Sequence, residues 1–444
     1  MKTKKLLSLL LVGTIAAGTL AGCGGNAKDT EAVKESAATN AVSDEETTAD
    51  SKEEDVSKLA GKIVVATTRT DIADTKLKEI AEAFMAENPG TEVEFEGIKD
   101  YEQVVATRVA GGEAPDIYNI LPNMGSDTYQ EYFLPVNDLG FTEDDLYFYN
   151  ATKGADGNIY GFSDYVEYTG VVYNKKSFAE AGIEQVPQTM DEFYDACEKI
   201  KAAGMVPVGT AFKDVWTMFP WTDFGMVQVA ANGDANGKNA YVEKDEIFDE
   251  TEVKSMNVAR ELYKKGYFES DIMSANWDQF KIDIAQGKTA MHYTASWFPP
   301  QMVEQGTAAE DVGMFPYPEA KGIYCAPGKV MAVSKNSKNP ELAKAFLKYI
   351  IEDGKIANAS GNAPAWKAAD AENPFIDELL SYNIPVVEIE PTDPSFVEIY
   401  NEAEIDEQSF LQSYVLEADD TKAQALVDDV NTKWAAARSN IMGN

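Results

Sequence analysis

The sequence predicts an α/β protein built from two or three packed units. Its 444 residues are too many for one small core. From Lys62 onward, short apolar runs alternate with helical stretches, the pattern of mainly parallel sheets covered by helices. With 44% hydrophobic and 25% charged residues the balance is that of an ordinary globular chain, and 11% aromatic content excludes wholesale disorder.

At the N-terminus, Lys2, Lys4 and Lys5 precede an apolar stretch from Leu6 to Ala21, short for a membrane span and right for a signal peptide over 1–22. The stretch ends "LAGC", which resembles the lipobox of bacterial lipoproteins and implies a lipidated Cys23. Residues 24–58 hold ten acidic and four basic residues and no aromatic, so they cannot bury enough apolar surface to offset their ordering entropy. They read as a flexible tether with a reach of roughly 30–35 Å.

"KIVVAT" (62–67) is a buried-strand run, a helix over 75–88 stops at Pro89-Gly90, and "TEVEFEGI" (91–98) and "DIYNIL" (116–121) are further strands. Thr189 and Glu192 form a capping box for a helix with Met190, Phe193, Cys197 and Ile200 on one face, ending at Gly204. Pro340 opens a helix with Ala343, Phe346, Leu347 and Ile350 on its stripe, ending at Gly354. A last helix uses Leu426, Val430 and Trp434.

The formal net charge of −37 argues against nucleic acid or an anionic membrane surface as partner, because both would be repelled. Beyond Cys23 only Cys197 and Cys325 remain, and His292 is the single histidine, so no metal and no cofactor are expected. Cys197 lies on a helical apolar stripe and reads as a buried free thiol. "QGKTAM" (286–291) lacks the first glycine of a phosphate-binding loop. Asp156 to Glu167 approaches a calcium loop, but Tyr160 stands where an Asp or Asn is needed, and "DGN" reads better as a hairpin turn. Acyl transfer lacks a histidine-assisted nucleophile. A glycosidase needs only two carboxylates and stays open as an enzymatic alternative.

Five of six tryptophans, Trp216, Trp221, Trp277, Trp297 and Trp366, sit in loop-like or strand-end contexts. In "HYTASWFPPQM" (292–302), Trp297 and Phe298 would point to opposite faces of a strand, so one ring should leave the core. Flat rings match the apolar faces of sugars, and carboxylate, amide and guanidinium groups match their hydroxyls. Such polar groups also recur at element ends: Arg69 and Asp71 after the first strand, Asn123 after "DIYNIL", and Asp164 and Glu167 beside Tyr165 and Tyr168.

"AGGEAPDIYNI", "GNIYGFSDYVEYTGVVYNKKSF", "FKIDIAQGKTAMHYTASWFPPQM" and "NPELAKAFLKYI" together resemble, in order, the extracellular solute-binding proteins of ABC importers, in the group that includes maltodextrin-binding protein. The resemblance covers 62 to about 370, and runs more loosely beyond. It implies a two-lobed periplasmic-binding-protein-like fold of type II that closes on ligand by a hinge. Crossovers would fall near 165–169, 326–330 and 361–367, giving one lobe from 59–165 plus 327–363 and another from 169–325 plus 367–444. Carried over by position, Trp297 is the ring that stacks on sugar, with Phe298 extending it or packing beneath, and Glu167 faces sugar hydroxyls. Asn123 stands where the maltodextrin protein has an aspartate and Ala66 where it has a tryptophan, which puts maltodextrin itself in doubt. Asp164, Tyr168, Arg69, Asp71, Trp216, Trp221, Asp223, Trp277 and Trp366 complete the candidate ligand set. The implied partners are an oligosaccharide and the permease subunits of an ABC transporter. The implied form is a monomer on the outer face of the cell membrane, held by its lipid. A non-sugar solute such as a peptide or polyamine is the alternative ligand, and a wall-associated adhesin the purely structural one.

Overall fold

Two β-sheets organise the chain in the computed structural model, which describes residues 59–369 and 373–443. The signal peptide, Cys23 and the tether lie outside the described residues. Strands follow in chain order: β1 (Gly61–Thr67), β2 (Thr91–Gly97), β3 (Ile117–Asn119), β4 (Gly161–Ser163), β5 (Tyr165–Asn174) and β6 (Val206–Val208). They continue with β7 (Thr289–Ala295), β8 (Val312–Phe315), β9 (Ile323–Pro327), β10 (Val330–Val333), β11 (Ala363–Pro364) and β12 (Val386–Glu388). The first sheet has the order β2-β1-β3-β10-β4; the second has β12-β9-β5-β7-β6, with β8 and β11 also on β5.

The first sheet forms one α/β lobe. Strand β1 lies between β2 and β3 and runs parallel to both, with Val65 level with both Phe95 and Ile117. Ile63, Val65 and Ala66 are fully buried, as an unbroken apolar run requires when a strand is covered on both sides. The helices Lys78–Glu87 and Pro340–Ile351 meet through Phe84 and Phe346, whose rings stand edge to face at 5.0 Å. The second of them stops at Ile351, short of Gly354, and a tight turn over Glu352–Gly354 follows.

The second sheet forms the other lobe. The capping box at Thr189 is present, and the helix Met190–Ala202 buries Phe193, Ala196, Cys197 and Ile200. The terminal helix Asp420–Met442 is clamped by Trp434, fully buried, whose indole N–H donates to the Lys244 carbonyl at 2.9 Å. Cys197 and Cys325 are both free and buried. The expectation of mainly parallel sheets fails here. β5 is antiparallel to β7, β8, β9 and β11, and only the β6–β7 and β9–β12 pairs are parallel. For β9 the reason is the crossing itself: β5 leads out of the first lobe, and β9, which leads back to β10, runs the opposite way.

Two connections between the sheets are very short. Asp164 alone separates β4 from β5, and Gly328-Lys329 alone separates β9 from β10. They are stitched together where the Gly328 N–H donates to the Tyr165 carbonyl at 2.7 Å and the Asp164 N–H to the Lys329 carbonyl at 3.0 Å. A Cβ on Gly328 would lie 2.5 Å from the Tyr165 ring, so this close approach requires glycine. β11 adds a third thread, pairing Ala363 with Val166 and Pro364 with Tyr165. The "DGN" stretch is the hairpin turn it reads as. Gly157 takes φ +84°, Lys153 bridges to Ile159, and the Asp156 carboxylate accepts from the Asn158 N–H at 3.0 Å and the Tyr160 hydroxyl at 2.6 Å.

Candidate functional site

The crossing strands bring carboxyl groups between the lobes. Burial pushes the Asp164 carboxyl up to about 8 against the pull of the Lys329 charge, and its Oδ1 is buried with no hydrogen-bond partner. Burial likewise pushes Glu167 up to about 7, with Lys329 lowering it and Asp223 raising it further. Among the described residues no hydrogen bond or ion pair reaches the Glu167 carboxyl, which leaves it able to accept from, or donate to, a ligand hydroxyl. Tyr168 does not accompany it. Neighbours in a strand point to opposite faces, and the Tyr168 ring packs with the cores of both lobes, in the cluster that holds Cys325.

Asp223 is the electrostatic centre of the second lobe's wall. Its Oδ1 caps the helix Phe224–Asn232 by accepting from the Met226 N–H at 3.0 Å. Its charge also reaches Glu167, Glu407, Tyr293, Tyr324 and Tyr400. Glu407 opens the helix Glu407–Leu416; burial and then Asp223 push it up to about 7, while it accepts from the Tyr400 hydroxyl at 3.2 Å. Glu407, Tyr400, Tyr293, Tyr324 and Lys329 are absent from the set read in the sequence. Tyr293 was visible as a strand aromatic beside Trp297; Glu407 carries no local signal at all.

These carboxyls set a pH dependence. An unfolded Glu ionises near 4.5 and folded Glu407 near 7, so between those values the folded chain holds the extra proton and stability falls as pH rises. Glu407→Gln is expected to flatten the decline in thermal midpoint of the ligand-free protein between about pH 5 and 7. A variant with the same slope as the parent would remove Glu407 as a source of that decline.

The aromatic wall has two layers. Trp297 lies in a turn, not in a strand: β7 ends at Ala295 and the helix Pro299–Glu304 follows. That turn is tied to the crossing strand, since the Ser296 N–H donates to the Tyr168 carbonyl at 2.8 Å and the Tyr168 N–H to Ser296 Oγ at 3.1 Å. Trp297, partly exposed, stands 5.8 Å from Trp277 and 6.2 Å from Trp216, which is 39% exposed. Trp277 and Trp216 meet edge to face at 4.9 Å, and the three ring planes are mutually inclined. Beneath them Phe298 is fully buried, stacked on Phe280 at 5.6 Å and 5.0 Å from Trp277. Of the two options for Phe298, it is the ring beneath. His292 completes this lower layer, neutral because burial pushes it down to about 4. Its Nδ1–H donates to the Gly209 carbonyl at 2.8 Å.

The other expected residues divide. Arg69 grips Asp71 through two bonds of 2.9 Å, and although burial opposes it, this pair holds the Asp71 carboxyl below its usual range. The Asn123 side chain is exposed, and it is the Asn123 carbonyl that meets the second lobe, accepting from Asn401 Nδ2 at 3.0 Å. Trp221 is corrected to a core residue: it is 3% exposed and edge-on to Tyr293 and Tyr317. Trp366 packs on Phe141 at 5.5 Å at the edge of the first lobe's core, away from the other tryptophans. Similar sequence contexts thus hide different burial, from exposed Trp216 to buried Trp221.

Two α/β lobes threaded together by crossing strands, with aromatic and carboxyl walls between them, define a two-lobed solute-binding protein. The family model for bacterial extracellular solute-binding proteins matches residues 68–357, and the chain belongs to that family. A multiple sugar-binding protein of Streptococcus mutans is 28% identical over 293 residues, 62% of this chain and 68% of the relative. The diacetylchitobiose binding protein DasA of Streptomyces coelicolor is 29% identical over 229 residues, 48% of this chain and about half (51%) of its own length. Among solved structures, a manno-oligosaccharide specific solute binding protein from Bifidobacterium animalis subsp. lactis, in complex with mannotriose, superposes with a TM-score of 0.76 at 24% identity, covering 86% of this chain and 95% of that one. The raffinose complex of the binding protein RafE gives 0.71 at 22% identity, covering 85% and 100%. These two likenesses speak to the fold.

Proposed function

We propose that this chain is the substrate-binding lipoprotein of an ABC importer, capturing a neutral oligosaccharide between its lobes and delivering it to a membrane permease. The observation that carries the reading is the layer of mutually inclined, partly or well exposed rings of Trp216, Trp277 and Trp297, together with the unpartnered Glu167 carboxyl on the crossing strand. Apolar ring faces and hydroxyl-seeking groups are the two things a sugar presents a need for. Relatives named for sugars and neighbours holding mannotriose and raffinose support it. Trp297 is the stacking platform, Glu167 and Asp223 take hydroxyls from the hinge and second lobe, and Arg69 with Asp71 does so from the first. The first lobe comprises 59–165 plus 327–363 and the second 169–325 plus 367–444. Lipid on Cys23 and the tether of 24–58 would hold this body at the outer face of the cell membrane.

A thermal-shift screen of the purified protein against oligosaccharides of several linkages and lengths tests this. A sugar present at 100 times its dissociation constant is expected to stabilise the fold by about 2.7 kcal/mol. Stabilisation by one linkage class without product formation supports a transport receptor. A shift with polyamines alone would reassign the ligand, and the carboxyls of Glu167, Asp223 and Glu407 are the feature that favours that second reading. No shift across sugars would overturn the first.

A further inference from the structure

Ion pairs bridge the two lobes outside the candidate ligand walls. From the first lobe, Lys76 Nζ lies 2.6 Å and Arg69 Nη2 3.7 Å from the Glu304 carboxylate of the second. Lys99 Nζ, just beyond β2, lies 3.5 Å from Asp278 Oδ2, which follows Trp277 directly. Charge also acts the other way, from Lys281 of the second lobe on Asp71 of the first. The first-lobe partners follow the ends of β1 and β2, with Lys76 in the short helical segment Ala73–Leu77, and the second-lobe partners lie on the helices Trp277–Ala285 and Pro299–Glu304. The chain joins the two lobes through the crossing strands, so a parting of the lobes at this edge would separate these pairs.

We propose that Lys76–Glu304 and Lys99–Asp278 form an electrostatic latch that biases the ligand-free lobes toward closure. The sign of the whole molecule makes such a device consequential. The net charge is −37, both lobes carry more acidic than basic residues, and bringing them together costs repulsion. At this edge cations of the first lobe face anions of the second, so closing there is attractive. The two pairs differ in exposure. Glu304 keeps 27% of its side-chain surface and also serves the mostly buried Arg69, whereas Lys99 and Asp278 are 77% and 70% exposed. An exposed pair shifts an equilibrium by roughly a factor of two to five, and salt screens it. A ligand that binds only closed lobes has an apparent dissociation constant equal to the intrinsic one divided by the closed fraction. The latch therefore tunes affinity without touching the ligand. Arg69 links it to the proposed sugar wall, since that side chain holds Asp71 and reaches Glu304 at once.

The test needs no ligand, so it stands apart from the sugar reading. Lobe separation in the ligand-free full chain is followed by small-angle scattering and by energy transfer between dyes placed on the two lobes. The parent is expected to open as salt rises from low to about 0.5 M, where the screening length falls to a few ångströms. Glu304→Gln with Asp278→Asn is expected to be open already at low salt, with a salt response at least twofold smaller. Asp278→Lys alone should open the lobes, and adding Lys99→Asp should restore closure, with circular dichroism showing each variant folded. A salt-independent separation in the parent, unchanged in the neutralised variant, would overturn the latch. A charge swap that fails to restore closure would exclude Lys99–Asp278 from it.

Discussion

Trp297→Ala is expected to weaken oligosaccharide binding at least tenfold, about 1.4 kcal/mol, in titration calorimetry. The ring is held before any ligand arrives, between Trp277 at 5.8 Å and Trp216 at 6.2 Å with Phe298 at 6.0 Å behind it. A platform that is already ordered gives its contact area to the ligand without a further entropy cost, so removing it loses the full stacking contribution. Because Trp297 is partly exposed, the ligand-free thermal midpoint should move little. Trp297→Phe keeps a flat ring and should recover part of the affinity. Equal binding by a folded Trp297→Ala protein would mean that the sugar, if one binds, stacks elsewhere.

Phe298→Ala is expected to act in the opposite proportion, lowering stability by about 3–5 kcal/mol in denaturant unfolding. Phe298 has no exposed surface and fills the space between Phe280, Trp277 and His292. Truncation leaves a cavity under the tryptophan layer, and close-packed interiors relax only partly around such a void. Affinity should fall too, as Trp277 and Trp297 lose their support, and a sugar that tightens the site should return some of the lost stability. A loss below about 1 kcal/mol would show that the layer above collapses into the space without penalty. Adjacent residues in one turn are thus expected to divide the work, Trp297 contacting the sugar and Phe298 holding the layer beneath it.

Much of the architecture was readable because it is local. The run Ile63–Ala66, the capping box at Thr189 and Glu192, and the stripe of Ala343, Phe346, Leu347 and Ile350 each specify an element from residues a few positions apart. Alternation suggested that one of Trp297 and Phe298 leaves the core. The outcome holds although a turn, not a strand, separates the rings, since a turn also sends consecutive side chains in different directions. The candidate site was legible where its residues bracket strand ends, as Arg69, Asp71, Asp164 and Glu167 do. It was not legible at Trp221, whose ring is buried against Tyr293, nor at Trp366, whose partly buried ring packs on Phe141, although both read as loop-like in the sequence, as Trp216 does. Glu407 could not be found at all, because what places it beside Asp223 is the return of the C-terminal helices to the second lobe.

From the sequence by itself come the α/β class, most of the elements and the unpaired buried cysteine at 197. Hydrophobic period and caps act over one or two turns or a few strand residues, so they survive in a linear reading. The tertiary structure alone decides the antiparallel run of β5, the inclined tryptophan layer and the cations of one lobe set against the anions of the other. Each depends on which faces and edges meet across long stretches of chain, and burial, strand direction and charge pairing are properties of that meeting and not of any single segment.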